Sequence, residues 1–175
     1  MKNIFVLFCI LASSVAYSQQ PFYSQWNSSQ ALMNVGATSS MDEDARFAVL
    51  GRFQWLGSVP TPFRTNSFNA EGKLFKDKIP NGWIGTGVQF FNDDIGETQI
   101  MTYSAHVPIN YVMELNRNSR FSLGFKPGFI NRGSYRGVQT FDNQWNGIAF
   151  DQTVITGEPI PSKFTRFDMG AGLYY

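Results

Sequence analysis

His106 is the only histidine in the chain, and Ser104 precedes it by two residues. A serine beside a histidine could make an activated nucleophile, with the imidazole as general base and a third polar group to orient it. Spacing identifies no Asn or Asp for that third role, and the alternative is a polar residue lining a wall. Asn92, Asp93, Asp94 and Glu97 could offer oxygens to Ca²⁺. They lack the Asp/Asn alternation and glycine of a calcium loop and read as a solvated turn. Gly85-Thr86-Gly87 has neither the third glycine nor the following helix of a dinucleotide loop. Arg46, Arg52, Glu71, Lys73, Lys126 and Asp168 could form a charged ladder or a permeation path, or could simply satisfy one another and water. These residue types assemble no catalytic, cofactor or metal site, and the expectation is a protein without enzymatic activity.

The elements that carry these residues alternate with a period of two, as strands do. Six segments show it: Ala45–Trp55, Thr65–Leu74, Trp83–Phe91, Thr98–Tyr111, Arg120–Ile130 and Thr165–Tyr175. In the fourth, Tyr103, Ala105, Val107, Ile109 and Tyr111 share one face, while Thr102, Ser104, His106 and Asn110 share the other. In the fifth, Phe121, Leu123, Phe125 and Phe129 oppose Ser122, Gly124, Lys126 and Gly128. Their lengths match the ~9–11 residues of a tilted membrane-spanning strand better than the ~5–6 of a soluble one. Phe47, Trp55, Trp83, Phe90, Phe91, Tyr111, Phe121, Phe129 and Tyr175 stand near strand ends, where a membrane barrel places its aromatic girdles. The expected fold is therefore all-β: an antiparallel up-and-down transmembrane barrel, incomplete with about six strands, because bacterial barrels begin at about eight.

Composition supports that reading. Charged residues are 15% and aromatics 16%, with 17 Phe. This balance excludes intrinsic disorder. Past residue 18, no apolar run reaches the ~18 residues of a membrane helix. Lys and Arg number 14 against 13 acidic residues, so no basic excess points to nucleic acid. Met1-Lys2-Asn3, the apolar run Ile4–Val15 and Ala16-Tyr17-Ser18 predict a signal peptide over residues 1–18. Cleavage after Ser18 would remove Cys9, the only cysteine, leaving no disulfide or thiolate site. Residues 19–44 read as a periplasmic lead-in or a plug entering the barrel mouth, and residues 45–175 as barrel strands. The connections Leu56–Arg64, Phe75–Gly82, Asn92–Glu97, Glu114–Ser119 and Asn131–Phe164 carry the turn residues. With the N-terminus in the periplasm, the longest, Asn131–Phe164, faces outside, as long barrel loops do.

An ordered set of motifs resembles the PorP/SprF family of type IX secretion system outer-membrane proteins of Bacteroidota. It comprises Phe22-Tyr23-Ser24-Gln25-Trp26, Met33-Asn34-Val35-Gly36-Ala37, Arg52-Phe53-Gln54-Trp55 followed by Pro60-Thr61-Pro62, Asn92-Asp93-Asp94-Ile95-Gly96, Ser122-Leu123-Gly124-Phe125, the stretch from Phe141-Asp142 to Phe150-Asp151, and Phe167–Tyr175. Val35 stands where members usually carry proline, and members run to roughly twice this length, so the chain is expected to be about the N-terminal half of a longer barrel. The resemblance implies a non-enzymatic accessory role in secretion or surface attachment of cargo such as gliding adhesins. The implied partners are outer-membrane lipid, other type IX components and secreted surface proteins, with no nucleic acid and no small-molecule substrate. Two alternatives from the residues stay open: a small channel or lipid-handling barrel, and a soluble secreted barrel carrying a ligand.

Overall fold

The computed structural model describes residues 29–96, 100–116, 118–134, 140–151, 153–155, 157 and 163–175. The expected signal peptide, its cleavage site, Cys9 and Phe22–Trp26 lie outside the described residues. Seven strands form one antiparallel sheet: β1 (Ala45–Gln54), β2 (Phe63–Leu74), β3 (Gly82–Ile95), β4 (Ile100–His106), β5 (Ile109–Asn116), β6 (Ser119–Ser134) and β7 (Phe164–Tyr174). Helix among the described residues is limited to single turns at Gln30–Met33, Val35–Ala37 and Asp142–Gln144.

The expected fourth strand is divided into β4 and β5, yet the two occupy one place in the sheet. Both lie between β3 and β6. Gln89 opposes His106 and Thr86 opposes Ile109 without a change of register, and on the other side Gly128 opposes His106 and Phe125 opposes Ile109. The division falls at Pro108, which has no N–H to give to the ladder. Its carbonyl still accepts from the Gly87 N–H at 3.1 Å, and the Val107 N–H donates to the Pro127 carbonyl at 3.0 Å. Seven hydrogen-bonded segments therefore trace the six ribbons that alternation predicts.

Several bounds differ from those expected. β3 runs through Asn92–Ile95, β5 through Asn116 and β6 through Ser134, so the Asn92–Glu97, Glu114–Ser119 and Asn131–Phe164 connections are shorter than the sequence suggests. Asp and Asn are poor strand formers, but β2 and β4 flank Asn92–Asp94 with pairing partners, and context outweighs propensity.

The sheet is inverted relative to a water-soluble one. Phe47, Val49, Phe90, Leu123, Phe129 and Met169 are exposed, whereas Thr65, Asn69, Gln89, Asn110 and Ser122 are buried. Trp83 and Phe91 correct the girdle expectation. Both fall on the polar face, opposite Val112 and Ser104 respectively, and Trp83 is buried. Among the described residues β1 pairs only with β2 and β7 only with β6, so the ring is not closed.

Candidate functional site

Cross-strand register lines up glycines on the polar face. Gly85 on β3 opposes Asn110 on β5, which opposes Gly124 on β6, which opposes Gly172 on β7. Residues 34–39 lie in the resulting furrow. A Cβ on Gly124 would stand 2.6 Å from the Val35 carbonyl oxygen, and one on Gly36 would stand 2.9 Å from the Leu173 carbonyl carbon. Backbone approaches backbone here, and a side chain at either position would hold them apart.

The sheet holds this segment mainly by its main chain. Asn110 Nδ2 donates to the carbonyls of Gly36 at 2.9 Å and Thr38 at 2.6 Å. The Ser122 hydroxyl also donates to Gly36 O. Gln89 Nε2 donates to Ala31 O at 2.9 Å and Trp83 Nε1 to Ser39 O at 3.2 Å. Orphan carbonyls of the short turns are thereby satisfied inside a buried face. Asn34 works in the other direction. Its Oδ1 accepts from Gly36 N–H at 2.9 Å and its Nδ2 donates to Leu173 O at 2.7 Å. Because Val107 and Pro127 form a hydrogen-bonded pair, odd positions of β6 bond to the β4–β5 ribbon and even ones to β7. Leu173 opposes Leu123, so its carbonyl points to the free edge of the sheet, where Asn34 meets it.

The end of the segment, residues 40–44, is held by charge. Asp42 Oδ1 pairs with Arg120 Nη2 at 2.9 Å, and Asp44 Oδ1 with Lys76 Nζ at 2.9 Å. Lys73 Nζ donates to Asp42 O at 3.1 Å and stands 4.4 Å from the centre of the Trp83 ring, which Arg120 approaches at 5.4 Å. Hydrogen bonding and charge from Lys76 lower the Asp44 carboxyl below its ordinary range, and Asp44 raises the Lys76 ammonium in return.

The other candidates fall into place across strands. Arg46 Nε donates to Glu71 Oε1 at 2.6 Å, while Glu71 Oε2 accepts the Ser39 N–H at 2.7 Å. His106 Nε2 meets Asp168 Oδ2 at 2.7 Å, so the chain does supply His106 with the carboxylate that sequence spacing did not identify. Both oppose Gly128, whose missing side chain lets the imidazole cross β6 to reach β7. No described hydrogen bond joins His106 to Ser104. The Lys126 side chain lies across Gly170. Asp93 and Asp94 are successive residues of one strand and take opposite faces. Asp93 accepts the Thr65 hydroxyl at 2.6 Å, and Asp94 stands opposite Arg64. The two carboxylates thus diverge instead of converging on an ion, and Glu97 lies outside the described residues.

Residues 15–175 match the family described as type IX secretion system membrane protein PorP/SprF. The chain belongs to this family. No curated protein and no solved structure matches it. Family membership makes the chain a membrane component of type IX secretion, and it accounts for the inverted faces. Exposed Phe, Val, Leu and Met, with Tyr103 and Ala105 on β4, suit a lipid surface, and buried Asn, Gln, Ser and Thr suit the opposite side. Among the described residues no helix is long and apolar enough to cross a membrane.

Within this PorP/SprF chain, the β6–β7 connection also has local order. The buried Gln144 receives Phe141 N–H at 3.1 Å and donates to Val154 O at 3.2 Å. The Trp145 and Phe150 rings pack at 5.0 Å. Ile148 and Ile155 remain 90% and 92% exposed, so the connection presents apolar side chains from a hydrogen-bonded frame. Sequence reasoning missed Asn110 and Gln89 as holders of the 31–39 backbone. Both occupy polar-face positions that alternation identifies, but which polar residue meets which carbonyl depends on register.

Proposed function

We propose that the chain is a non-enzymatic outer-membrane component of type IX secretion that serves in secretion or surface attachment of cargo such as gliding adhesins. Residues 1–18 act as its cleaved export signal, and residues 19–44 as a periplasmic lead-in or plug. The observation that carries this reading is the pairing of an apolar exterior with a polar interior already occupied by residues 34–39. An occupied interior favours a scaffold over an open channel. Arg46, Glu71, His106 and Asp168 are engaged with one another and with Ser39 instead of lining a clear path. The β6–β7 connection, with exposed Ile148 and Ile155, is the surface offered to secretion partners, since recognition concentrates on loops carried by rigid scaffolds.

Deletion of the gene tests the role. Type IX cargo should accumulate inside the cell and disappear from the surface, and both defects should be reversed by the native gene. Unchanged secretion and attachment would overturn the proposal. Recovery of the protein from the membrane fraction only with detergent tests the location independently.

A further inference from the structure

The register that builds the furrow on the polar face also builds a groove on the apolar face. Val49, Phe68, Phe90, Ala105, Phe129 and Phe167 form one cross-strand row. Phe68 and Phe90 pack with ring centres 6.3 Å apart on one side of Ala105, and Phe129 and Phe167 at 5.6 Å on the other. Ala105 is a single methyl between two aromatic pairs. The gap it leaves is a groove of about 500 Å³. Two residues further along each strand runs a row of neutral polar side chains, with Asn66 opposite Asn92, Asn92 opposite Tyr103 and Tyr103 opposite Asn131. All of them border the same groove. Beyond that row stand Arg64 and, opposite it, Asp94. On β2 and β3 the exterior therefore passes from phenyl to amide to charged, with Phe53 opposite Arg64 and Met101 opposite Asp94 continuing the apolar surface on either side.

We propose that this groove is a lipid-binding site that seats one acyl chain of a membrane phospholipid over Ala105. The glycerol-ester carbonyls of that lipid accept hydrogen bonds from the Asn66 and Asn92 amides. Ester carbonyls can only accept and primary amides can donate, so the chemistries match. The ester groups of a bilayer lie where hydrocarbon gives way to headgroup, and this lipid pose sets the amide row at that level. A wall of uniform large side chains would meet lipid as a smooth surface, whereas the notch offers contact on both flanks of one chain.

The inference rests on the membrane reading, and one experiment separates the two. Purified full-length protein in mild detergent micelles is mixed with palmitoyl-oleoyl phosphatidylethanolamine and examined by native mass spectrometry. One tightly retained lipid per chain is expected. Ala105→Phe, and the smaller Ala105→Leu, should reduce retention roughly tenfold, as displacing about two methylenes from contact would. Val88→Phe, on the same face but outside the groove, should retain lipid as the native chain does. Asn66→Ala combined with Asn92→Ala should also weaken retention. Equal retention by native and Ala105 variants, or equal loss in Val88→Phe, would overturn the site while leaving the membrane reading intact. Recovery of the native protein in the soluble fraction without detergent would overturn both.

Discussion

The two faces of the same strands obey opposite rules. On the exterior, Val88, Phe90, Leu123 and Phe129 stand exposed, and what matters is that no charge enters the row. On the interior, Gln89, Asn110 and Ser122 are buried, and what matters is that their donors meet the carbonyls of the inner segment and that glycine leaves room for residues 34–39. Adjacent residues such as Val88 and Gln89 therefore tolerate different substitutions, although they share a backbone. The interior itself divides again. The carbonyls of Gly36, Thr38 and Ser39 are held by neutral side-chain donors, whereas Asp42 and Asp44 are held by ion pairs whose carboxylates are 87% and 78% exposed. Exposed pairs contribute little and are screened by salt, so the furrow carries the attachment and the ionic end trims it.

These contrasts can be broken experimentally, beginning with the largest effect. Val88→Lys should destabilise the inserted protein by about 2–4 kcal/mol, the cost of a lipid-facing charge near the midplane. Ala48→Lys, on the polar face, should cost far less. Heat-dependent electrophoretic mobility of the folded protein and its urea midpoint in lipid vesicles would read both, and equal losses would break the distinction between the faces. Gly124→Val should cost about 1–3 kcal/mol by overpacking and should unseat residues 34–39, because its Cβ meets the Val35 carbonyl. A cysteine placed at Ala37, buried in the native chain, would then react with a water-soluble maleimide. Asn110→Ala removes the donor to Gly36 O and Thr38 O at once. Its cost should be about 2 kcal/mol, read as faster proteolysis within residues 29–44 with the strands intact.

The smallest effect belongs to Asp44 and Lys76. The Asp44 carboxyl is depressed in the folded chain, so its contribution is present above its unfolded value and lost as pH falls through the folded one. The Lys76 ammonium is raised, so its contribution is present below its unfolded value and lost as pH rises through the folded one. Asp44→Asn should remove the acid-side dependence of protease access at residues 40–44. The native and variant proteins should become indistinguishable in high salt. A difference that persists in salt would mean the ionic end is more than a trim.

Alternation in the sequence determined a great deal. It assigned Tyr103, Ala105, Ile109, Phe125 and Leu173 to one face and Thr102, His106, Asn110 and Ser122 to the other, because successive strand side chains cannot share a face. It marked the connection Phe75–Gly82, where Asn81 takes φ of 58°. It misjudged Trp83 and Phe91, because aromatic type suggests a girdle while strand parity turns both inward. It also ended β3 at Phe91, because Asp93 and Asp94 look like a turn until partners stand on both sides.

What only the tertiary structure decided is which residues meet. His106 and Asp168 are 62 positions apart, and Asn110 and Gly36 are 74. A period of two fixes the face of each residue but says nothing of how one strand slides against the next. That offset is set by the whole ladder of backbone hydrogen bonds. Only after it is set do Gly85, Gly124 and Gly172 become a furrow, Gly128 a gap for an imidazole, and Ala105 a notch between two pairs of phenyl rings.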